Sequence, residues 1–206
     1  MLRLTPNDFA HIRTFLETYW EKSALPELIR YMAIPNITPK SDPNWHEHGY
    51  MERALELFSS FLSRVASRYP GTQLDPRVNH AIFRLPGRTP LLVANIPGTA
   101  PGNVLFYGHL DKQPASAGWR DGLSPWTGIR EGDRLYGRGG ADDGYALFAA
   151  LGAILALGDL GIPFPSCRIL IEASEESGSP DLPAYLADAE VGSYLGTPDA
   201  VICLDS

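Results

Sequence analysis

The first third of the chain has apolar residues at the spacing of a helix. In its opening segment they are Phe9, Ile12, Phe15, Leu16 and Tyr19. Thr5 and Pro6 stand just before them, a capping residue and a proline that favour a helix start. The pattern predicts, in order, a helix opening at Thr5, a short helix over Ser23–Met32, a loop over Pro35–Pro43 and an amphipathic helix over Trp45–Tyr69 that ends at Pro70-Gly71.

From about residue 78 the pattern changes to short β-rich runs between Pro and Gly turns. Strands are predicted over Val78–Leu85, Pro90–Ile96, Asn103–Tyr107, Arg134–Gly137, Arg168–Glu172 and Ala200–Leu204. Helices over Asp143–Leu157 and Leu182–Ala189, and a long polar loop over 112–133, separate the later strands. This alternation predicts an α/β fold with a mixed, mostly parallel sheet flanked by helices, in three α/β/α layers.

Composition places the chain among globular proteins. Its 206 residues are 44% hydrophobic, which is too apolar for a disordered chain. The 17 Lys and Arg against 24 Asp and Glu give a net charge of −7, which disfavours nucleic acid and anionic membranes as partners. The most apolar stretch, 145–157, contains Gly152 and predicts a core helix rather than a membrane span. Cys167 and Cys203 predict two buried free thiols, and with no signal peptide pattern at the N-terminus the expected location is the cytoplasm.

Acidic and histidine side chains gather where the predicted strands end. They are His109 and Asp111, Asp142 and Asp143, Glu175 and Glu176, and Asp205. A parallel sheet brings such strand ends to one edge, so residues far apart in sequence converge there. Several carboxylates in one cleft repel one another unless a cation neutralises them. One histidine with several carboxylates and no thiolate suits Zn²⁺, Mn²⁺ or Co²⁺, so the pattern predicts a metal site.

Other residues that could bear chemistry have plainer interpretations. His46 and His48 indicate a solvated helix start, because alternate residues do not share a helical face. His11 and His80 have no convergent acidic neighbours in the sequence and are interpreted as ordinary surface or core residues. Glu172, within an apolar strand, has two open interpretations: it orients a metal ligand, or it faces solvent.

The three strand-end motifs resemble those of a known family. Gly108–Pro114 reads Gly-His-Leu-Asp-Lys-Gln-Pro, Gly137–Gly144 reads Gly-Arg-Gly-Gly-Ala-Asp-Asp-Gly, and Glu175–Ser179 reads Glu-Glu-Ser-Gly-Ser. In order and in spacing they are similar to the metal motifs of the M20 metallopeptidases, the group of carnosinase, aminoacylase and glutamate carboxypeptidase. The resemblance runs from about residue 75 onward and is nearest to the dipeptidase branch. It implies the phosphorylase/hydrolase-like α/β/α fold of zinc exopeptidases.

The resemblance implies two divalent ions, Zn²⁺ in the first place, with Mn²⁺ and Co²⁺ as alternatives. By the family pattern, His109, Asp142 and Asp205 would hold one ion. Asp142 would bridge to the second ion, which Glu176 also holds. The peptide between Asp142 and Asp143 is typically cis in this family and is expected to be cis here.

The resemblance also assigns two catalytic roles. Asp111 would hydrogen-bond His109 and fix its tautomer. Glu175 would be the general base, which takes a proton from water and passes it to the leaving amine. The implied reaction is hydrolysis of a peptide or amide C–N bond in a dipeptide or an N-acyl amino acid. The alternative is a non-catalytic binding or assembly module that retains the carboxylate cluster, although the pair Glu175-Glu176 favours the enzyme.

Two departures from the family pattern modify these expectations. Gly144 and Tyr145 stand where the dipeptidase branch usually has Lys and Gly. The family also has a lid domain with the dimer interface and a further histidine ligand, and this sequence contains neither. Residues 1–206 are therefore expected to be the N-terminal portion of a catalytic domain, monomeric and inactive or nearly so, from a longer protein that could dimerise through its lid.

Overall fold

The computed structural model describes residues 4–68 and 79–205 of the chain. The helix end predicted at Pro70-Gly71 and the first residue of the strand predicted over Val78–Leu85 lie outside the described residues. Every other predicted element has a counterpart in the structure, although several bounds differ.

The N-terminal helices α1, Pro6–Tyr19, and α2, Leu25–Met32, are joined by a π-helical turn at Trp20–Ala24. Helix α1 begins where it was predicted to begin. The Thr5 hydroxyl accepts the backbone N–H of Asp8, and the Asp8 carboxylate accepts the backbone N–H of Thr5. This reciprocal pair satisfies two N–H groups near the helix start that would otherwise lack a partner.

The helix predicted over Trp45–Tyr69 is in fact two helices, α3 at Trp45–His48 and α4 at Tyr50–Arg68. Gly49 separates them with a φ of +67°, and its N–H donates to the carbonyl oxygen of Trp45. A residue in the left-handed conformation ends a helix, and glycine adopts it without a steric cost. Hydrophobic periodicity does not register such a break.

In the described part of the chain, seven strands form a five-stranded sheet and a separate hairpin. In chain order they are β1 (Asn79–Phe83), β2 (Leu91–Ile96), β3 (Ala100–His109), β4 (Ile129–Glu131), β5 (Arg134–Tyr136), β6 (Pro165–Glu172) and β7 (Ala200–Cys203). The sheet has the order β1-β2-β6-β3-β7, and β4 pairs with β5. Strand β3 is parallel to β6 and to β7, while β2 is antiparallel to β1 and to β6. Four strands therefore share one direction, which confirms the mixed, mostly parallel sheet.

Helices cover both faces of this sheet. Successive residues along β2 and β6 point to opposite faces. On one face Leu92, Ala94, Ile169 and Ile171 pack with α1, α2, α4 and α5, Ala146–Asp159. On the other face Leu91, Val93 and Leu170 pack with α6, Leu182–Ala187, and α7, Ala189–Leu195. The three α/β/α layers are confirmed.

Helix α6 is the helix predicted over Leu182–Ala189 and ends two residues earlier, while α7 was not predicted. Asp188 leaves the helical conformation, with φ −73° and ψ 132°. Its carboxylate then caps α7 by accepting the backbone N–H groups of Glu190 and Val191. Aspartate competes well for N–H groups at a helix start, which explains the break.

The two cysteines differ in exposure. Cys167 is buried and free, as predicted. Cys203 is free but exposed, so the prediction of a buried thiol is wrong there. The reason is that β7 is an edge strand of the sheet and all four of its residues are exposed.

The stretch Gly140–Asp159 is long and apolar enough to cross a membrane by length and composition. However, 61% of its most apolar window is buried inside the protein. Helix α5, which makes up most of it, crosses α1 at Gly152, where a Cβ would lie 2.7 Å from Tyr19 Cε1. The stretch is therefore a core helix, as its interrupted apolar pattern predicted.

Candidate metal centre

The predicted site residues meet at the carboxyl end of β3. His109 is the last residue of that strand and is completely buried. Its Nε2 lies 3.1 Å from Asp142 Oδ1, 3.8 Å from Glu175 Oε2 and 3.8 Å from Asp205 Oδ1. These residues come from four separate segments of the sequence, so the fold brings them together at one edge of the sheet.

Two sets of three potential ligands share His109. Ligand atoms of His109, Asp142 and Glu176 lie within 4.8 Å of one another, and so do those of His109, Asp143 and Asp205. The first set contains the predicted pair of Asp142 and Glu176. The second set has Asp143 beside Asp205, where the resemblance implies Asp142.

Asp143 is a buried carboxylate to which the sequence assigned no role. Its Oδ2 accepts the backbone N–H of His109 at 3.1 Å, while its Oδ1 is buried without a hydrogen-bond partner in the described part of the chain. Burial, with smaller contributions from the negative charges of Asp205 and Asp142, raises the pKa of Asp143 to about 7. The peptide between Asp142 and Asp143 is cis, as expected.

The pKa of His109 reflects opposing influences. Burial by itself lowers this pKa. The hydrogen bond and charge of Asp111, with the charges of Asp143 and Asp205, outweigh burial and raise it to about 10. The carboxylates around the imidazole therefore favour its protonated form.

Asp111 forms its hydrogen bond with His109 through its backbone carbonyl oxygen, and its carboxylate binds a second segment. The Nδ1 atom of His109 lies 3.0 Å from the backbone carbonyl oxygen of Asp111 and 3.4 Å from its Oδ1. The two carboxylate oxygens accept the backbone N–H groups of Glu175, at 3.0 Å, and Glu176, at 3.1 Å. A carbonyl acceptor for Nδ1–H leaves Nε2 available as a ligand. Asp111 thus connects the histidine to the Glu175-Glu176 turn.

Glu176 is oriented by Gln113, whose part in the site the sequence did not reveal. The amide Nε2 of Gln113 donates to Glu176 Oε2, and Glu176 Oε1 is buried without a partner among the described residues. Burial raises the pKa of Glu176 and that of Glu175. The alternation of residues 109, 111 and 113 places all three side chains on one side of an extended segment, and this is the signal that could have revealed Gln113.

Glu172 does not face solvent, so that interpretation is wrong. Its side chain is buried at the end of β6, opposite His109 in the parallel register. Its Oε1 accepts the hydroxyl groups of Tyr107, at 2.6 Å, and Ser179, at 2.8 Å. Burial raises the pKa of Glu172.

The remaining histidines lie outside the site. His46 and His48 are exposed, as predicted for a solvated helix start. His11 is an exposed surface residue, and its Nε2 lies 2.6 Å from the carboxylate of Asp159. His80 contacts a serine hydroxyl. Within the described residues, none of the four belongs to a set of three potential metal ligands.

The residues of the site fit divalent metal ions. An imidazole nitrogen with several carboxylate oxygens is a donor set that Zn²⁺, Mn²⁺ and Co²⁺ accept. Buried polar atoms normally have partners, yet Asp143 Oδ1 and Glu176 Oε1 have none among the described residues. A cation between these carboxylates would satisfy both oxygens and offset the repulsion between the acids.

Comparison with known proteins agrees with this geometry. Residues 105–204 match the model of peptidase family M20/M25/M40. The chain is 28% identical over 184 residues to the Beta-Ala-His dipeptidase of Homo sapiens, an alignment that covers 87% of the chain and 35% of that protein. It is 39% identical over 106 residues to the Cys-Gly metallodipeptidase dug1 of Schizosaccharomyces pombe, an alignment that covers 50% of the chain and 22% of that protein.

A solved structure shows the same fold. The di-peptidase Dug1p of Saccharomyces cerevisiae superposes with a TM-score of 0.73 at 22% identity, over 98% of the chain and 42% of that protein. The chain thus spans about a third or less of the length of these two curated relatives. The family match takes in His109, Asp142, Glu175 and Glu176 with their strands. Over residues 105–204 the chain therefore resembles peptidase family M20/M25/M40.

Proposed function

We propose that this site hydrolyses a peptide or amide C–N bond in a dipeptide or an N-acyl amino acid with the help of divalent metal ions. The observation that carries the proposal is the convergence of three carboxylates on the Nε2 atom of His109. The resemblance to the peptidase family supports the reaction. The names of the relatives, Beta-Ala-His dipeptidase and Cys-Gly metallodipeptidase, support a small peptide as substrate.

His109, Asp142, Glu176 and Asp205 would hold two ions, with Zn²⁺ preferred and Mn²⁺ or Co²⁺ as alternatives. Asp142 lies nearest to His109 Nε2 and would be the ligand that both ions share. When bound, such ions polarise the scissile carbonyl and lower the pKa of the attacking water. Gln113 and Asp111 hold the ligand side chains in place, through Glu176 Oε2 and through His109.

Glu175 is the proposed general base. Its carboxylate is 30% exposed, so water and substrate can reach it, while its backbone N–H is held by Asp111. Burial raises its pKa toward the working pH, which suits a group that first accepts a proton and then donates it. Glu175 would take the proton of the attacking water and pass it to the nitrogen of the leaving amine as the C–N bond breaks.

The whole protein is proposed to be a cytoplasmic enzyme with no nucleic-acid or membrane partner. The two free thiols suit a reducing compartment. Because the chain spans only part of its relatives' length, further ligands, the lid and a homodimer interface are assigned to other parts of the whole protein. Residues 1–206 alone are therefore expected to be monomeric and to hydrolyse slowly or not at all.

Exchange of Glu175 for glutamine in the zinc-loaded whole protein tests the proposal. Glu175→Gln should lower kcat for dipeptide hydrolysis by about 10²- to 10⁴-fold, because the base is lost while the shape is kept. Its zinc affinity should match that of the wild type. Glu190→Gln on the exposed surface of α7 is the control and should hydrolyse normally.

Three results would count against parts of this proposal. Normal hydrolysis by Glu175→Gln removes Glu175 from its role. Zinc binding without hydrolysis of dipeptides or N-acyl amino acids supports the non-catalytic module. A whole protein that binds no divalent metal contradicts the metal centre itself.

A further inference from the structure

Glu172 is a buried carboxylate that the proposed chemistry does not use. Its side chain is 3% exposed, and within the described residues no Lys, Arg or His lies within ion-pair distance of it. A carboxylate buried without a cation is costly, so its surroundings must hold it by hydrogen bonds. Glu172 pairs with His109 in the parallel register of β6 and β3, so it lies next to the candidate site.

Hydroxyl groups supply those hydrogen bonds. Tyr107 donates to Glu172 Oε1 at 2.6 Å and Ser179 donates to the same oxygen at 2.8 Å. The Ser174 hydroxyl lies 3.5 Å from Oε2, at the outer limit for a hydrogen bond. Hydroxyl bonds to an ionised carboxylate are short and about twice as strong as bonds between neutral groups.

Ser174 and Ser179 stand at the two ends of the Glu175-Glu176 turn. The carbonyl oxygen of Ser174 accepts the N–H groups of Ser177 and Ser179, both at 3.1 Å. Ser179 has a φ of +51°, a left-handed conformation that serine rarely adopts. Its hydroxyl bond to Glu172 helps to keep it there. Glu172 thus contacts the residues at both ends of the turn.

We propose that Glu172 is a positioning residue that fixes the Glu175-Glu176 turn for metal binding and proton transfer. It acts through Ser179, with Tyr107 holding its carboxylate in place. The role in metal binding rests on the proposed function, since Glu176 is assigned as a ligand there. The hold on the turn itself does not depend on any metal.

Replacement of Glu172 by methionine separates positioning from a purely structural role. Glu172→Met removes the acceptor at similar length. The loss of the two hydroxyl bonds lowers stability and the removal of a buried charge raises it, so the melting temperature should change little. Amide hydrogen exchange over residues 174–179 should nevertheless become faster, by about tenfold or more. Zinc should bind about 10- to 100-fold more weakly, as for other residues that orient ligands. Ser179→Ala removes the hydroxyl group that donates to Glu172. It should also make amide exchange over residues 174–179 faster and zinc binding weaker.

Two controls match these variants. Ser63→Ala removes an exposed hydroxyl that bonds within α4, and Tyr194→Phe removes a hydroxyl that contacts Asn79 at the surface. Both should leave exchange at 174–179 and zinc affinity unchanged. Unchanged exchange in Glu172→Met and Ser179→Ala would overturn the proposal, and Ser179→Ala decides alone if Glu172→Met does not fold. If the wild type binds no zinc, the proposed function fails, while faster exchange still supports the hold on the turn.

Discussion

At the scale of single residues, Asp111 shows how one buried carboxylate organises two parts of the site. It is completely buried, and its oxygens accept two neighbouring N–H groups of the Glu175-Glu176 turn. Its backbone oxygen faces His109 Nδ1. The proposed general base Glu175, the proposed ligand Glu176 and the tautomer of His109 therefore all depend on the same residue.

Asp111→Asn should weaken zinc binding by about 10- to 100-fold. The NH₂ group of an asparagine would face a backbone N–H, and two donors cannot bond to each other. One buried N–H would therefore lose its acceptor, and the free energy of unfolding should fall by about 1–3 kcal/mol. Chelator competition and denaturant titration measure the two effects. Asp199→Asn is the control, because Asp199 also accepts a backbone N–H, that of Asn103, but away from the site. Equal losses in both variants would contradict a special role for Asp111.

His109 predicts a pH dependence of metal binding. Its pKa of about 10 lies above its ordinary value of 6.5, so the proton stabilises the metal-free fold below pH 6.5 and this stabilisation is lost as the pH rises through 10. Zinc must displace that proton. Apparent zinc affinity should therefore rise about tenfold per unit between about pH 7 and pH 9, as chelator-buffered titrations can measure. An affinity that does not change over this range would show that His109 is not a ligand.

At the scale of elements, the contact between α2 and the turn before α5 explains one departure from the family pattern. A Cβ at Gly144 would lie 2.1 Å from Tyr31 Cε1 and 2.6 Å from the carbonyl oxygen of Gly139. Tyr31 is completely buried, and its hydroxyl donates to the carbonyl oxygen of Leu110 at 2.6 Å. The tyrosine ring therefore occupies the space that a larger residue at position 144 would need.

Gly144→Ala should lower the free energy of unfolding by about 1–3 kcal/mol, because the methyl group overpacks against Tyr31. Zinc affinity should fall as well, since Asp142 and Asp143 belong to the same turn. Thermal and denaturant unfolding with and without zinc measure both effects. Gly192→Ala in α7 is the matched control, because no atom lies within 4 Å of the added Cβ, and it should be neutral or stabilising. An unchanged free energy of unfolding in Gly144→Ala would show that Tyr31 moves aside without cost and would contradict this explanation.

The elements also show what the sequence could predict. Apolar periodicity located the helices and strands because most of them bury one face or both faces in the core. The breaks at Gly49 and Asp188 escaped it, because each depends on a local backbone conformation and not on burial. The hairpin strand β4 escaped it as well, since its three residues are mostly exposed and carry no apolar alternation.

At the scale of the whole molecule, the parallel strands explain why the site could largely be foreseen. His109 ends β3, while Glu175 and Asp205 follow β6 and β7, so the convergence of these three residues follows from parallel strands that end at one edge. Asp142 follows β5, which belongs to the separate hairpin, so the sheet topology alone does not place it there. Hydrogen-bond partners that lie in turns, such as Ser179, could not be predicted in the same way. They depend on the directions in which turns point their side chains, which spacing along the chain does not encode.

Equilibrium zinc binding to the wild-type chain and to Asp142→Asn tests the central claim most directly. Asp142 lies closest to His109 Nε2 among the acids and belongs to the same ligand set as Glu176. The wild type should bind zinc, and Asp142→Asn should bind it at least about 100-fold more weakly, because a proposed metal ligand is lost. His48→Asn, at an exposed histidine outside the site, should bind like the wild type. Equal affinity of Asp142→Asn and the wild type, or no zinc binding by either, would contradict a metal centre at this edge of the sheet.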